Sequence, residues 1–240
     1  MIDRFIGVDV QTSRGCPFAV LDADGNALDS GWLNDRNETA RALRTVATRH
    51  AEGRPNRVAI GIDAPRVQLQ RGREWYWSRK GWRACRSKDR GSGRHCEVVI
   101  AAHRLANPQW TPAQPPFPQW MQLGFELFEE LGKDFTVYEV FPSASYAMFA
   151  GDPSANVNVL LGGFAPGPKD MLDAYVAATT TREFIQGRGI EVGDGDGLGS
   201  IILPRPLSKA IHGVLTWPTA ANRQSTDAAS GSTDTTLDHG

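Results

Sequence analysis

Two apolar segments of this chain end in the same Gly-x-Asp pattern, and this repetition constrains the fold more than any other feature of the sequence. Gly7-Val8-Asp9 closes the first segment, and Gly61-Ile62-Asp63 closes the second. A short continuous apolar run is typical of a buried strand. Residues 4–10 and 57–62 are therefore predicted to be strands, and each brings an aspartate to its carboxyl end.

The segment between these strands predicts how they are joined. Residues 16–21 read as a strand that enters a hairpin turn at Asp24-Gly25-Asn26, and residues 27–33 read as its return. Apolar residues at helical spacing follow and stop before Gly53. This order predicts three hairpin-linked strands, a crossover helix and a fourth strand parallel to the first. The two aspartates then lie at neighbouring strand ends, where open sheets have their sites.

The remaining elements complete an α/β prediction with a mixed sheet flanked by helices. Helical periodicity recurs over residues 117–131 and 168–186, and residues 135–141 read as a strand. Between the fourth strand and the second helix the periodicity fails, which indicates an inserted loop or lobe. After Pro218 almost no residue is apolar, which is typical of disorder. The predicted boundaries are residues 1–215 for one domain, 66–118 for the insertion and 216–240 for a disordered tail.

Composition indicates the class of protein. A chain of 240 residues that is 40% apolar can build one substantial globular core. No stretch approaches the ~20 consecutive apolar residues of a membrane span, and the first residues lack the pattern of a secretory signal. Three cysteines are too few, and odd in number, for a disulfide framework. We expect a cytoplasmic protein without a membrane partner; its oligomeric state stays open.

An acidic pair on the last predicted helix adds to the two strand-end aspartates. Asp173 shares a helix face with small residues suited to packing on a sheet, and an unpaired carboxylate is costly to bury there. Asp170 has a simpler explanation, because the helix dipole favours an acid in the first turn. Carboxylates from strands and a helix suit hard divalent cations. The candidate ligands of Mg²⁺ or Mn²⁺ are Asp9, Asp63, Asp170 and Asp173.

Glu139 is a further acid, placed inside the predicted strand over residues 135–141. It could face water at a sheet edge or pair with an arginine. Alternatively, its side chain faces the same crevice as Asp9 and serves as a metal ligand or a base. The candidate catalytic residues are therefore Asp9, Asp63, Glu139 and Asp173.

Five short motifs along the chain carry a family resemblance. They are Gly7-Val8-Asp9, Gly61-Ile62-Asp63-Ala64-Pro65, Arg94-His95-Cys96-Glu97, Tyr138-Glu139-Val140-Phe141-Pro142-Ser143 and Leu172-Asp173-Ala174-Tyr175-Val176-Ala177-Ala178. Over roughly residues 5–204, this order resembles domain-of-unknown-function family 429, described as predicted nucleases with a ribonuclease H-like fold. The closing acidic helix is most similar to the RuvC-type resolvase branch of that superfamily.

The resemblance implies a role for each matching residue. It implies metal-binding acids at Asp9, Asp63 and Asp173, supporting acids at Glu139 and Asp170, and polar site residues at Arg94 and Glu97. The chain departs from the family pattern in two respects. Residues 66–104 are richer in Arg and Trp, and the connector before the last helix is shorter.

The predicted insertion is basic and aromatic. Between residues 66 and 104, eleven Lys or Arg side chains stand against three acids, although the whole chain has a net charge of −1. Such a segment suits contacts with nucleic-acid phosphates and stacking of bases. The alternative is a solvated basic loop whose tryptophans pack beneath it as a small satellite core. The candidate substrate-binding residues are Arg79, Arg83, Arg86, Arg94, Trp77 and Trp82.

These observations predict a nuclease that hydrolyses phosphodiesters of DNA or RNA with metal ions held by carboxylates. One alternative is a nucleic-acid- or protein-binding module on the same fold without catalysis. Another is an actin-like nucleotide hydrolase, because the residues after Gly7 suggest a phosphate-binding hairpin. That class needs a duplicated domain, for which this chain is short.

Overall fold

The computed structural model describes residues 1–89, 91–160, 162 and 164–218. Within these residues the chain forms an α/β fold. The strands are β1 (Arg4–Asp9), β2 (Cys16–Asp22), β3 (Ala27–Leu33), β4 (Val58–Asp63), β5 (Trp75–Ser78), β6 (Gly81–Ala84), β7 (Thr136–Glu139), β8 (Ile190–Val192) and β9 (Ile201–Leu203). The helices are α1 (Thr39–Ala51), α2 (His95–Ala102), α3 (Gln119–Leu131), α4 (Pro142–Phe149), α5 (Pro168–Ile185) and α6 (His212–Leu215).

A mixed sheet of five strands, in the order β3-β2-β1-β4-β7, forms the centre of the fold. Strand β2 pairs antiparallel with both β1 and β3, whereas β4 lies parallel to β1 and β7 lies parallel to β4. The register of β1 and β4 pairs Gly7 with Gly61 and Asp9 with Asp63. The predicted mixed sheet is thus confirmed, as is the neighbouring placement of the two strand-end aspartates.

Helices cover both faces of this sheet. Helices α1 and α3 pack on the face that presents Ile6, Val8 and Ile60, and α5 packs on the face that presents Phe5 and Ala59. Because side chains alternate along a strand, the strand-end aspartates point toward the side of α5. Among the described residues, no helix combines the length and the apolarity needed to span a membrane.

Two glycines let α5 lie directly on the sheet. A Cβ atom at Gly7 would lie 2.0 Å from the carbonyl oxygen of Ala174 and 2.2 Å from the amide nitrogen of Ala178. A Cβ atom at Gly61 would lie 2.2 Å from Oγ1 of Thr181. The glycine of each Gly-x-Asp pattern is therefore a packing requirement that brings the helix close to the aspartate two residues later.

The structure corrects the sequence prediction in the insertion and after β7. Residues 66–118, expected to be irregular, contain the β5–β6 hairpin and α2. Helix α2 is buried on nearly all sides, so its sequence carries no amphipathic period. The strand predicted over residues 135–141 ends at Glu139, because Pro142 begins α4 at a position that favours proline.

The boundary of the predicted tail also differs. Trp217 lies against the rings of Trp82 and His95, with centroid distances of 5.1 and 5.0 Å. Packed structure therefore continues two residues past the predicted boundary at 215. The rest of the predicted disordered tail, residues 219–240, lies outside the described residues.

The close approach of α5 to β1 predicts that a single methyl group added at Gly7 destabilises the fold. Gly7→Ala places a Cβ against helix backbone, which cannot move without displacing α5, so we expect a loss of about 2–3 kcal/mol of unfolding free energy and a fall of about 5–10 °C in melting temperature. Gly151→Ala is the control, because nothing lies within 4 Å of its added Cβ. Equal melting temperatures for the two variants, measured by circular dichroism, would contradict this account.

Candidate active site

A cavity of about 290 Å³ opens at the carboxyl ends of β1, β4 and β7. The charged side chains that line it are Asp9, Asp63, Arg94, Glu97 and Glu139. Four carboxyl groups thus accompany one guanidinium. This cavity attracts cations and repels anions as long as the acids are ionised.

Asp9 is 5% exposed and lies at the end of β1. Its Oδ2 accepts a hydrogen bond of 2.8 Å from Nε2 of Gln11. Burial raises the pKa of the Asp9 carboxyl to about 7; the Gln11 hydrogen bond opposes this rise, and the charges of Asp173 and Asp170 add to it. A buried acid beside other acids binds a proton near neutral pH unless a cation is present.

Asp63 is half-buried at the end of β4. Burial raises the pKa of its carboxyl well above 3.8, and the charges of Asp9 and Asp173 raise it further. No donor among the described residues hydrogen-bonds to this carboxyl group. Asp63 therefore offers unused oxygen lone pairs to the cavity.

Asp173 completes the acidic group from the other layer. It is 8% exposed on α5, on the side of the sheet to which Asp9 and Asp63 point. Its Oδ1 accepts a hydrogen bond of 2.7 Å from the hydroxyl of Tyr146, and its Oδ2 accepts one from Nζ of Lys169. The charge of Asp173 acts on both Asp9 and Asp63, but Asp173 is not among the side chains that line the cavity, and both of its oxygens have protein partners.

As placed, these acids do not form a ready cation site. Within residues 1–218, apart from 90, 161 and 163, no group of three His, Cys, Asp or Glu side chains is arranged to hold a metal ion. Asp9 and Asp63 fit as a pair of hard oxygen ligands on adjacent strands. Asp173 fits as a third ligand only when Lys169 releases its Oδ2. Asp170, the other proposed ligand, pairs with Arg14 at 3.3 Å.

Glu139 belongs to a buried ion-pair network. The register pairs it with Ile62, so its side chain leaves the sheet on the face opposite to Asp9 and Asp63. Its Oε2 accepts hydrogen bonds from Nη1 of Arg94 at 2.7 Å and from the amide of Arg66 at 2.8 Å, and its Oε1 accepts one from Nη2 of Arg94. Of the roles considered for Glu139, the contacts are those of an arginine partner at the rim of the cavity.

Arg94 also joins this network to α2. Its guanidinium is 1% exposed and donates to Oε1 of Glu97 at 3.1 and 3.2 Å. Glu97 accepts two further hydrogen bonds from Thr111. Arg94 lines the cavity, but its Nε, Nη1 and Nη2 atoms all donate hydrogen bonds to Glu97 or Glu139. It positions the rim rather than presenting a free cation to a substrate.

The two tryptophans proposed for base stacking pack against the protein. The rings of Trp77 and Trp82 meet edge to face at 5.2 Å, and Trp82 lies 5.7 Å from the ring of His95. Nε1 of Trp82 donates a hydrogen bond of 2.8 Å to the carbonyl of Gly213. These are the contacts of the satellite core considered as the alternative.

The basic residues of the insertion divide into engaged and exposed groups. Arg83 pairs with Asp89 and lies over the ring of Tyr76 at 4.4 Å. Five others are exposed and make no side-chain hydrogen bond or ion pair to a described residue: Arg79, Lys80, Arg86, Lys88 and Arg104. The first four lie close together in sequence, at the tip of the β5–β6 hairpin and just after it, and a hypothesis of phosphate binding rests mainly on these four cations.

Two residues that contact Asp173 were not found from the sequence. For Lys169 the sequence does contain a signal, because this residue precedes Asp173 by four positions and therefore lies on the same helix face. For Tyr146 there was no such signal, because α4 was not predicted.

Comparison of the chain with protein-family models, with curated proteins and with solved structures gives no match.

The raised pKa of Asp9 predicts the pH dependence of metal-free stability. The folded state binds the proton more tightly than the unfolded state, so stability falls as pH rises from about 4 to about 7 and then levels off. Asp9→Asn removes this loss and should stabilise the metal-free protein at pH 8 by a few kcal/mol, or roughly 5 °C or more. The measurement is a set of melting curves from pH 4 to pH 8 in a chelating buffer.

The control for this prediction is Asp24→Asn, which neutralises an exposed aspartate in the β2–β3 turn. It should leave the pH profile of the melting temperature unchanged. Parallel profiles for the wild type and Asp9→Asn would show that Asp9 is an ordinary ionised carboxylate.

Proposed function

We propose that this chain is a divalent-metal-dependent hydrolase of nucleic-acid phosphodiesters on a ribonuclease H-like fold. The observation that carries the proposal is the register of β1 and β4. It pairs Asp9 with Asp63 at the carboxyl ends of parallel strands, on the sheet face covered by Asp173. The five ordered motifs described above support the fold assignment.

The acids have distinct tasks in this proposal. Asp9 and Asp63 bind the cation through hard oxygen ligands, and Asp173 supplies a third carboxylate from α5. When bound, Mg²⁺ or Mn²⁺ supplies an activated water and neutralises charge on the phosphoryl oxygens. Arg94 holds Glu139 and Glu97 at the rim, so these two carboxylates keep their place while the substrate enters.

The charge of the cavity makes binding ordered. A phosphodiester carries a negative charge, and the cavity presents four carboxyl groups and one guanidinium that is already paired. An anionic substrate is therefore repelled until a divalent cation reduces the negative charge. The exposed cations Arg79, Lys80, Arg86 and Lys88 provide a basic surface for flanking phosphates.

A second candidate function is a nucleic-acid-binding module without catalysis. The specific observation that favours it is the state of Asp173, whose two oxygens are held by Tyr146 and Lys169. If Lys169 stays in place, the acids are already neutralised in part by the protein itself. The metal titrations below distinguish the two functions.

The catalytic proposal predicts a loss of cleavage without a loss of structure. Asp9→Asn and Asp63→Asn each remove a metal ligand, so each should lower the rate of Mn²⁺-dependent cleavage of a labelled oligonucleotide by about 100-fold or more. Mn²⁺ should raise the melting temperature of the wild type and do so less for either variant. Asp24→Asn should cleave like the wild type. Cleavage by Asp9→Asn at the rate of the wild type would remove the catalytic proposal.

The substrate proposal predicts the salt dependence of binding. Replacing Arg79, Lys80, Arg86 and Lys88 by Ala should weaken oligonucleotide binding and reduce the slope of log K against log salt by up to about 0.7–0.9 per lost phosphate contact. A control with the same change of net charge replaces four exposed cations elsewhere, two of which, Arg41 and Lys133, form surface ion pairs: Arg41, Arg54, Lys133 and Lys209. Filter binding at several salt concentrations gives both slopes. Equal slopes for the two quadruple variants would show that these four cations make no special phosphate contact.

A further inference from the structure

Lys169 occupies a position that ordinary helix energetics do not favour. It lies in the first turn of α5, next to Pro168, where the helix dipole disfavours a positive charge. Its ion pair with Asp173 runs from lysine to acid at i, i+4, the less stabilising of the two orders. The helix alone therefore gives no reason for a lysine at this position.

The acidic group supplies that reason. The ammonium group of Lys169 interacts favourably with Asp173, Asp9 and Asp63. Nζ of Lys169 donates to Oδ2 of Asp173 and lies 6.0 Å from the centre of the Tyr146 ring, while the hydroxyl of Tyr146 donates to Oδ1. The single positive charge of Lys169 thus partly compensates the negative charges of three carboxylates that lie on the same side of the sheet.

The contact is also easy to release. The side chain of Lys169 is 73% exposed, whereas that of Asp173 is 11% exposed. The ammonium group is therefore largely hydrated already and can leave at little cost to itself; the cost of breaking the pair falls on the buried carboxylate of Asp173, which a bound cation would neutralise instead. Tyr146 can keep its hydrogen bond to Oδ1 when the lysine leaves Oδ2.

From this geometry we propose that Lys169 is a built-in counter-ion that competes with the divalent cation for Asp173 and so sets the metal affinity of the site. The inference rests on the proposed function, because it assumes that Asp9, Asp63 and Asp173 bind metal. In the metal-free chain Lys169 lowers the repulsion among the three acids. When a cation binds, Lys169 leaves Oδ2, and Asp173 becomes available as the third ligand.

The test is the substitution Lys169→Met, which keeps much of the side-chain length and removes the charge. Without metal, the variant should melt below the wild type, because three acids lose their counter-ion. Mn²⁺ should bind it at least about threefold more tightly, because the competing positive charge is gone. Calorimetric titration with Mn²⁺ alone, together with melting curves with and without Mn²⁺, measures both effects without an activity assay.

Two controls isolate the role of Lys169. Lys133→Met removes another exposed lysine that pairs with an acid, Glu130, and should leave Mn²⁺ affinity unchanged. In an Asp173→Asn background, the gain from Lys169→Met should be smaller, because the contested ligand is absent. Lys169→Gln should act in the same direction as Lys169→Met, which protects the test against a folding defect in one variant.

The possible outcomes separate the two proposals. If the wild type and Lys169→Met bind Mn²⁺ with equal affinity, the proposal that Lys169 competes with the cation is overturned, whereas the metal-dependent function stands. If Lys169→Met binds Mn²⁺ more weakly, Lys169 assists the metal and the competition is again overturned. If neither protein binds Mn²⁺ in the millimolar range, the metal-dependent function fails, and the inference fails with it.

Discussion

The contact of α5 with β1 and β4 is the constraint on which the site depends. Without a side chain at Gly7 and Gly61, the helix backbone approaches the sheet closely enough to contact it directly. Asp173 lies on that helix, while Asp9 and Asp63 each follow one of the two glycines by two residues. The close contact that stabilises the sheet therefore also forces three carboxyl groups toward one another.

This arrangement places like charges where little solvent can screen them. Burial raises the pKa of both strand-end acids, so the metal-free protein holds protons that exposed aspartates would release. The protein relieves the remaining repulsion with Gln11 at Asp9 and with Lys169 at Asp173. No such partner contacts the carboxyl group of Asp63 among the described residues. Among the three acids, Asp63 is therefore the one that no described side-chain donor compensates by direct contact.

The sequence predicted the central sheet better than the surroundings of the site, and the reason is physical. The hairpin turn at Asp24-Gly25-Asn26 fixes the register locally, and β3 has the predicted bounds, Ala27–Leu33. Contacts between residues distant in sequence leave no such local signal. An arginine partner for Glu139 was considered, but residues 66–104 alone contain nine arginines, and only the fold brings Arg94 to it. Helix α2 was missed because full burial removes the periodicity that reveals a helix.

Two consecutive residues link the insertion both to the site and to the aromatic cluster. Arg94 caps the start of α2 and binds Glu139 at the rim of the cavity. The next residue, His95, faces the aromatic cluster of Trp82 and Trp217. Its Nδ1 accepts from the amide of Gly195, so the proton resides on Nε2, which donates to the carbonyl of Val214.

These contacts fix the start of α2 on two sides at once. The β5–β6 hairpin packs on the aromatic cluster through Trp77 and Trp82, and this hairpin carries Arg79 and Lys80 at its tip. A displacement of the hairpin would disturb His95 and, through the adjoining peptide, the guanidinium that holds Glu139. The basic surface is therefore a structural extension of the cavity rim, and the segment that the sequence marked as an irregular insertion is part of what holds the rim in place.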